Sequence, residues 1–185
     1  LGALGISGAI EHGLSLESST SDGRTYESPH RSLDGAVRLR GSFGPLEAEA
    51  LAGGGRHGLA LSPRGAAADL PAVVPDVDYR FMRGGMAVRL RTRTAILLAE
   101  AGYRHILGAG PIAGENWFPA TSARGLDALL ALSLPVVDAV ELRFGADLRR
   151  YSLTFAQGEG GVPSDGARDS FVSVWAAVVL GFGGQ

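Results

Sequence analysis

The chain has 185 residues, 17 basic against 19 acidic, and a formal net charge of −2 at pH 7. That length suffices for one domain with a substantial core, and the charge balance argues against a nucleic-acid binder, which carries a basic excess. With no cysteine the chain forms neither a disulfide nor a thiolate centre, and no apolar run reaches the roughly 18 residues of a transmembrane helix.

Every basic residue is Arg, whose planar, multidentate guanidinium suits buried ion pairs better than Lys does. The sequence opens at Leu1 without a recognisable signal peptide. It is read as a mature or excised unit, residues 1–185 forming a single domain.

Period-two alternation recurs along the chain and predicts eight strands. The first, 2–17, sets Leu4, Ile6, Ile10, Leu14 and Leu16 against Ser7, Glu11 and Ser15, with His12 interrupting the apolar phase. The second, 30–43, sets Leu33, Val37, Leu39 and Phe43 against Asp34, Arg38 and Arg40. In the third, 45–61, Leu46, Ala48, Ala50 and Ala52 oppose Glu47 and Glu49, and Arg56 breaks phase. The fourth, 78–91, opposes Met82, Met86, Val88 and Leu90 to Arg83 and Arg89. The fifth, 94–107, opposes Leu97, Ala99, Ala101 and Tyr103 to Glu100 and Arg104. The sixth, 123–134, opposes Leu126, Ala128, Leu130 and Leu132 to Asp127 and Ser133. The seventh, 136–155, contains VELRFGADLRR and puts Glu141, Arg143, Asp147 and Arg149 opposite Val140, Leu142, Phe144 and Leu148, with Arg150 out of phase. The eighth, 170–183, opposes Val172, Val174, Ala176, Val178, Leu180 and Phe182 to Ser173 and Trp175.

Short and long connections alternate strictly. FGPL (43–46), RTRT (91–94) and LPVV (134–137) are turns, whereas 17–30, 62–76, 107–123 and 156–169 are long. In an up-and-down meander that rhythm places every tight turn at one end and every long loop at the other. Each strand also carries one nearly charge-free face of the length a tilted membrane-crossing strand requires.

On these features the chain resembles, over essentially its whole length, the small eight-stranded bacterial outer-membrane β-barrels of the OmpA, OmpX and OmpW kind. The likeness rests on strand count, loop rhythm, the charged phase and the closing strand DSFVSVWAAVVLGFGG, in which Gly183, Gly184 and Gln185 follow the aromatic Phe182. It implies an all-β, eight-stranded antiparallel up-and-down transmembrane β-barrel with a charged interior. Termini would be periplasmic and long loops extracellular. The implied partners are the lipid bilayer, lipopolysaccharide and, during insertion, the barrel-assembly machinery; a monomer is expected. The implied role is a structural anchor or surface-loop binder, or a conduit for small or hydrophobic molecules.

A narrow barrel has its lumen filled by side chains. The expected interior charge network is therefore Glu11, Asp34, Arg38, Arg40, Glu47, Glu49, Arg83, Arg89, Glu100, Arg104, Asp127, Glu141, Arg143, Asp147 and Arg149, where paired charges survive burial. A soluble, lipocalin-like ligand-binding barrel would turn the same alternation inside out.

No motif points to an enzyme or a cofactor. GAGPIAG (108–114) has the outline of a dinucleotide loop, but ENWFP follows it instead of a helix. GGGRHG (53–58) fails the P-loop spacing and reads as glycines that permit tight strand curvature. His12, His30, His57 and His105 lack metal-ligand spacing. His57 and His105 lie toward the long-loop end, where a lipid A-modifying hydrolase would work, yet no Ser supports them locally. Trp117 and Phe118 are the candidates for loop recognition, with an interfacial aromatic girdle as the competing role. The first long loop reads as polar and mobile, and Trp175 as lumen filling.

Overall fold

The protein is described from a computed structural model covering residues 3–13, 17–19, 25–27, 29–60, 62–63, 75–115, 117–118, 121–137, 140–155 and 166–180. Eight long strands carry the fold: β1 (Ala3–His12), β2 (His30–Phe43), β3 (Leu46–Leu59), β4 (Val77–Arg91), β5 (Ile96–Gly108), β6 (Thr121–Val137), β7 (Val140–Phe155) and β8 (Gly166–Leu180). They form one sheet in chain order, each antiparallel to the next. The all-β, up-and-down fold expected from the alternation is the fold observed.

The sheet is curled into a half-barrel. Its two edges approach closely enough for Arg149 on β7 to bind Glu11 on β1, past β8. Among the described residues no ladder joins β1 to β8.

Every inward phase is the charged one. Outward, Ile6 is 87 % exposed, Val174 83 % and Leu130 66 %, and the pattern repeats on all eight strands. Inward, Glu49 is 2 % exposed and Arg104 3 %.

Several strand limits differ from expectation. β1 ends at His12, so His12 caps the strand rather than interrupting its apolar face; Leu14 and Leu16 lie outside the described residues, as does Phe182. LPVV is not a turn: β6 runs on to Val137, and Pro135 sits opposite Glu141 beside a register irregularity at Val140/Glu141. Proline donates no ladder hydrogen bond and is tolerated at such an irregularity near a strand end. The long connections also contain ordered structure. Glu17–Ser19 pairs with Thr25–Glu27, which pairs with Ser62–Pro63, so the first loop is partly a small sheet shared with the second.

The FGPL connection is a two-residue turn, with Gly44 at φ 62°, the left-handed region that a side chain disfavours. In the RTRT turn, Thr92 N–H donates to Ala95 O at 2.8 Å and Thr92 Oγ1 donates to the same carbonyl at 2.8 Å.

Gly145 on β7 stands opposite Trp175 on β8, and a Cβ at that position would collide with the indole ring. Strand phase turns Trp175 inward, and the missing side chain at Gly145 leaves room for its ring. Gly145→Val is expected to lower stability by about 1–3 kcal/mol through overpacking, read as a fall in the urea midpoint together with a change in Trp emission.

Candidate functional site

The interior divides into an ion-paired shaft and an aromatic cap. Alternation supplies the shaft, since every second residue of each strand faces inward. Glu49 on β3 is its hub: Arg40 binds it at 2.8 Å, Arg38 at 3.1 Å and Arg89 at 3.4 Å. Arg38 also reaches across to Glu100 on β5 at 2.8 Å, and Arg83 on β4 binds the same carboxylate at 2.7 Å.

Arg83 and Arg104 face each other across the β4–β5 ladder. Two like charges so placed repel; here Asp127 on β6 accepts from both, from Arg104 at 2.9 Å and from Arg83 in a short contact. Toward the turns, Glu47 accepts from Arg89 and Arg91, and Arg143 binds Glu141 at 2.6 Å and Ser133 at 2.9 Å. Arg149 holds Glu11 at 2.5 Å and Asp147 at 3.2 Å. All fifteen residues expected inside face inward. Among the described residues Asp34 makes no ion pair; it lines a small cavity of about 260 Å³ with Arg38, Glu100 and Trp175. A second space of about 470 Å³, lined by Ser7, Arg38, Arg143 and Trp175, extends to β1.

The cap closes the long-loop end. The inward phase changes there from charged to aromatic: Tyr79 stacks on Tyr151 at 4.0 Å, and Phe118 on Phe155 at 3.8 Å. Val77, Ala109, Ile112 and Leu153 fill the remainder. Ile112 arrives on a short 3-10 turn (Gly110–Ala113), which the Asp78 N–H to Ala109 O bond of 3.0 Å ties to β4. The GAGPIAG segment therefore serves as part of this cap.

Among the described residues the polar atoms between the rings are matched, His57 Nε2 excepted. Tyr151 Oη accepts from Arg104 Nη1 at 3.0 Å and shares a 2.8 Å hydrogen bond with His57 Nδ1, while Tyr79 Oη donates to Asp169. Arg104 also lies 4.3 Å over the Phe81 ring.

Phe118 corrects an expectation. Stacked on Phe155 and partly buried, it is not a freely exposed recognition anchor, and its neighbour Trp117 is half-buried. The sequence carried a signal for the cap, in that Tyr79, Phe81, Tyr151, Phe155 and Phe171 all fall on the charged phase near the long-loop ends of their strands. Phe118 carried none, because a loop has no phase.

The histidines separate. His105 faces outward, opposite Arg124, whereas His57 is inward and 1 % exposed, so they do not share a site. His57 does have a Ser neighbour that local spacing hid: Ser32 stands opposite it across β2–β3, and Glu11 opposite Ser32 across β1–β2. The hydrogen bonds recorded there run elsewhere. Ser32 Oγ and Glu11 both accept from Arg149, His57 Nδ1 goes to Tyr151, and His57 Nε2 has no partner among the described residues. Among the described residues, Ser32 Oγ and His57 share no hydrogen bond.

The chain matches no protein family, no curated protein and no solved structure.

Proposed function

We propose that the chain is an integral β-barrel protein of a bacterial outer membrane, a non-enzymatic structural anchor that holds its long loops at the cell surface. The observation that carries this reading is the sheet's polarity, with large apolar side chains outward and ion pairs inward. In water, each large aliphatic side chain left exposed forgoes about 1.5–3 kcal/mol of burial, and soluble monomers rarely show a continuous apolar surface of this kind. Acyl chains remove that cost. The aromatic cap supports an anchor over an axial pore, because it fills the interior at the long-loop end.

Refolding tests the reading. β-structure is expected to form with detergent or phospholipid, and the unheated protein to migrate apart from the heated one in electrophoresis. A full complement of β-structure in plain buffer overturns it.

One observation favours a second reading, a lateral conduit for hydrophobic molecules. The inward-phase residues Ala3, Gly5 and Ala9 of β1 are exposed, beside the unladdered β1–β8 edge. That reading predicts uptake of a hydrophobic probe by vesicles containing the protein; vesicles that take up no more than empty ones exclude it.

A further inference from the structure

The outward face is charge-free only up to a certain height. From the tight turns upward it presents Leu, Val, Ile, Ala, Met, Phe and Gly with a single Tyr and, two residues below Arg168 on β8, Ser170; no described strand shows a charged side chain there. Then, toward the long loops, the same phase changes. β1 presents His12, β2 Arg31, β3 Arg56, β4 Arg80, β5 His105, β6 Arg124, β7 Arg150 and β8 Arg168, all of them exposed. Each of the eight strands thus contributes one basic or imidazole side chain.

The register shows that these are neighbours in a belt. His12 is opposite Arg31, Arg56 opposite Arg80, and His105 opposite Arg124. The six arginines lie roughly ten to fourteen residues from the tight-turn end of their strands, which at ~3.3 Å per residue and a ~40° tilt places the belt ~25–35 Å from that rim. An outer-membrane barrel's apolar band is about 25 Å tall, so the belt sits at its far boundary.

Arg56 and Arg80, directly opposite each other, repel unless something negative joins them. Among the described residues, Asp78 is the carboxylate bound to the belt, gripped by both nitrogens of Arg56 at 2.6 Å. The inward acids, Asp34 apart, have partners inside the sheet. The belt's surroundings are also amphiphilic. Arg31, Arg56 and His12 border an open recess of about 860 Å³, which Glu11, Asp76 and Asp78 also line and whose lower wall is Ile10 and Leu33. Met82, Leu126 and Leu148 stand in the same relation below Arg80, Arg124 and Arg150, two residues nearer the membrane centre. Among the described residues, the strands' outward face carries no basic side chain at the opposite rim.

We propose that this belt is a binding site for the phosphate groups of the outer leaflet's glycolipid, lipopolysaccharide. Guanidinium forks grip phosphate oxygens, and acyl chains descend over the aliphatic residues beneath. The inference rests on the membrane reading above and deepens it: the belt fixes both which way up the barrel sits and which lipid surrounds its upper rim.

The test uses the full chain refolded in phosphatidylcholine vesicles, titrated with fluorescent diphosphoryl lipid A and, separately, with its fully dephosphorylated form. Diphosphoryl lipid A is expected to bind at least tenfold tighter, with the advantage shrinking at high salt. Replacing the five arginines without a recorded carboxylate (Arg31→Gln, Arg80→Gln, Arg124→Gln, Arg150→Gln and Arg168→Gln) is expected to erase that advantage. The variant's fold is verified by heat-dependent mobility; should it not fold, the wild-type comparison of the two lipids decides alone. Equal affinity for the two lipids, or an advantage unchanged in the folded variant, overturns the belt while leaving the barrel standing. Failure of the wild type to insert into phosphatidylcholine vesicles overturns the membrane reading itself.

Discussion

Glu49→Ala is expected to lower the stability of the folded chain by about 3–5 kcal/mol, the cost of removing one partner from a buried ion pair. Glu49 is 2 % exposed and accepts from Arg38, Arg40 and Arg89, so its loss leaves three guanidiniums facing one another. Arg38 keeps Glu100 and Arg89 keeps Glu47, whereas Arg40 retains only Glu47 at 3.7 Å. The measurement is the urea midpoint of folding into detergent or lipid. Arg40→Ala added to Glu49→Ala is expected to recover part of the loss, because it removes the charge left most exposed to repulsion. A midpoint unchanged by Glu49→Ala would mean that water reaches the hub and that the shaft is not dry.

Leu130→Arg separates the two environments that the outward face could meet. Leu130 is 66 % exposed and lies mid-strand on β6, flanked by Ala99 on β5 and Ala146 on β7. In water, an arginine at so open a position changes stability by no more than about 0.5 kcal/mol. In a bilayer it sits near the midplane, where an outward Arg costs roughly 2–4 kcal/mol. A large drop in the folding midpoint in lipid is therefore expected. The same change at Val136, close to the tight-turn end, is expected to cost only about 0–1 kcal/mol, because the penalty falls toward the interface. Equal and small effects at both positions would remove the lipid from the account.

The interior and exterior respond to opposite rules in these two experiments. Inside, a charge is tolerated because it is paired, and removing the partner is what hurts. Outside, on the proposed membrane reading, a charge is costly because nothing pairs it, except at the height of Arg31, Arg80 and Arg124, where that reading puts the head groups.

Much of the architecture is legible in local pattern. Strand β2 occupies the residues that alternation assigns to it, 30–43, because Leu33, Val37 and Leu39 against Asp34, Arg38 and Arg40 leave no other period. Errors gather where the period weakens. The alternation around Leu14 and Leu16 continues past the end of β1, and Pro135 imitates a turn inside β6. Phe118, in a loop, offered no periodicity by which to foresee its stacking on Phe155. Arg56 and Arg150 looked like isolated blemishes because each was viewed along its own strand; only register sets them beside Arg80 and among the other basic residues of the belt.

Composition and period, then, determine by themselves that this is an all-β meander whose strands each have one apolar and one charged face. They leave open which face is inside, because a two-residue period reads identically when the sheet curls the other way. Tertiary structure decides that, through pairings between residues far apart in the chain: Arg38 with Glu100, Arg83 with Asp127, Arg149 with Glu11. A guanidinium removed from water needs carboxylates on several sides at once, and only a sheet curled with its charges inward brings those distant strands within reach.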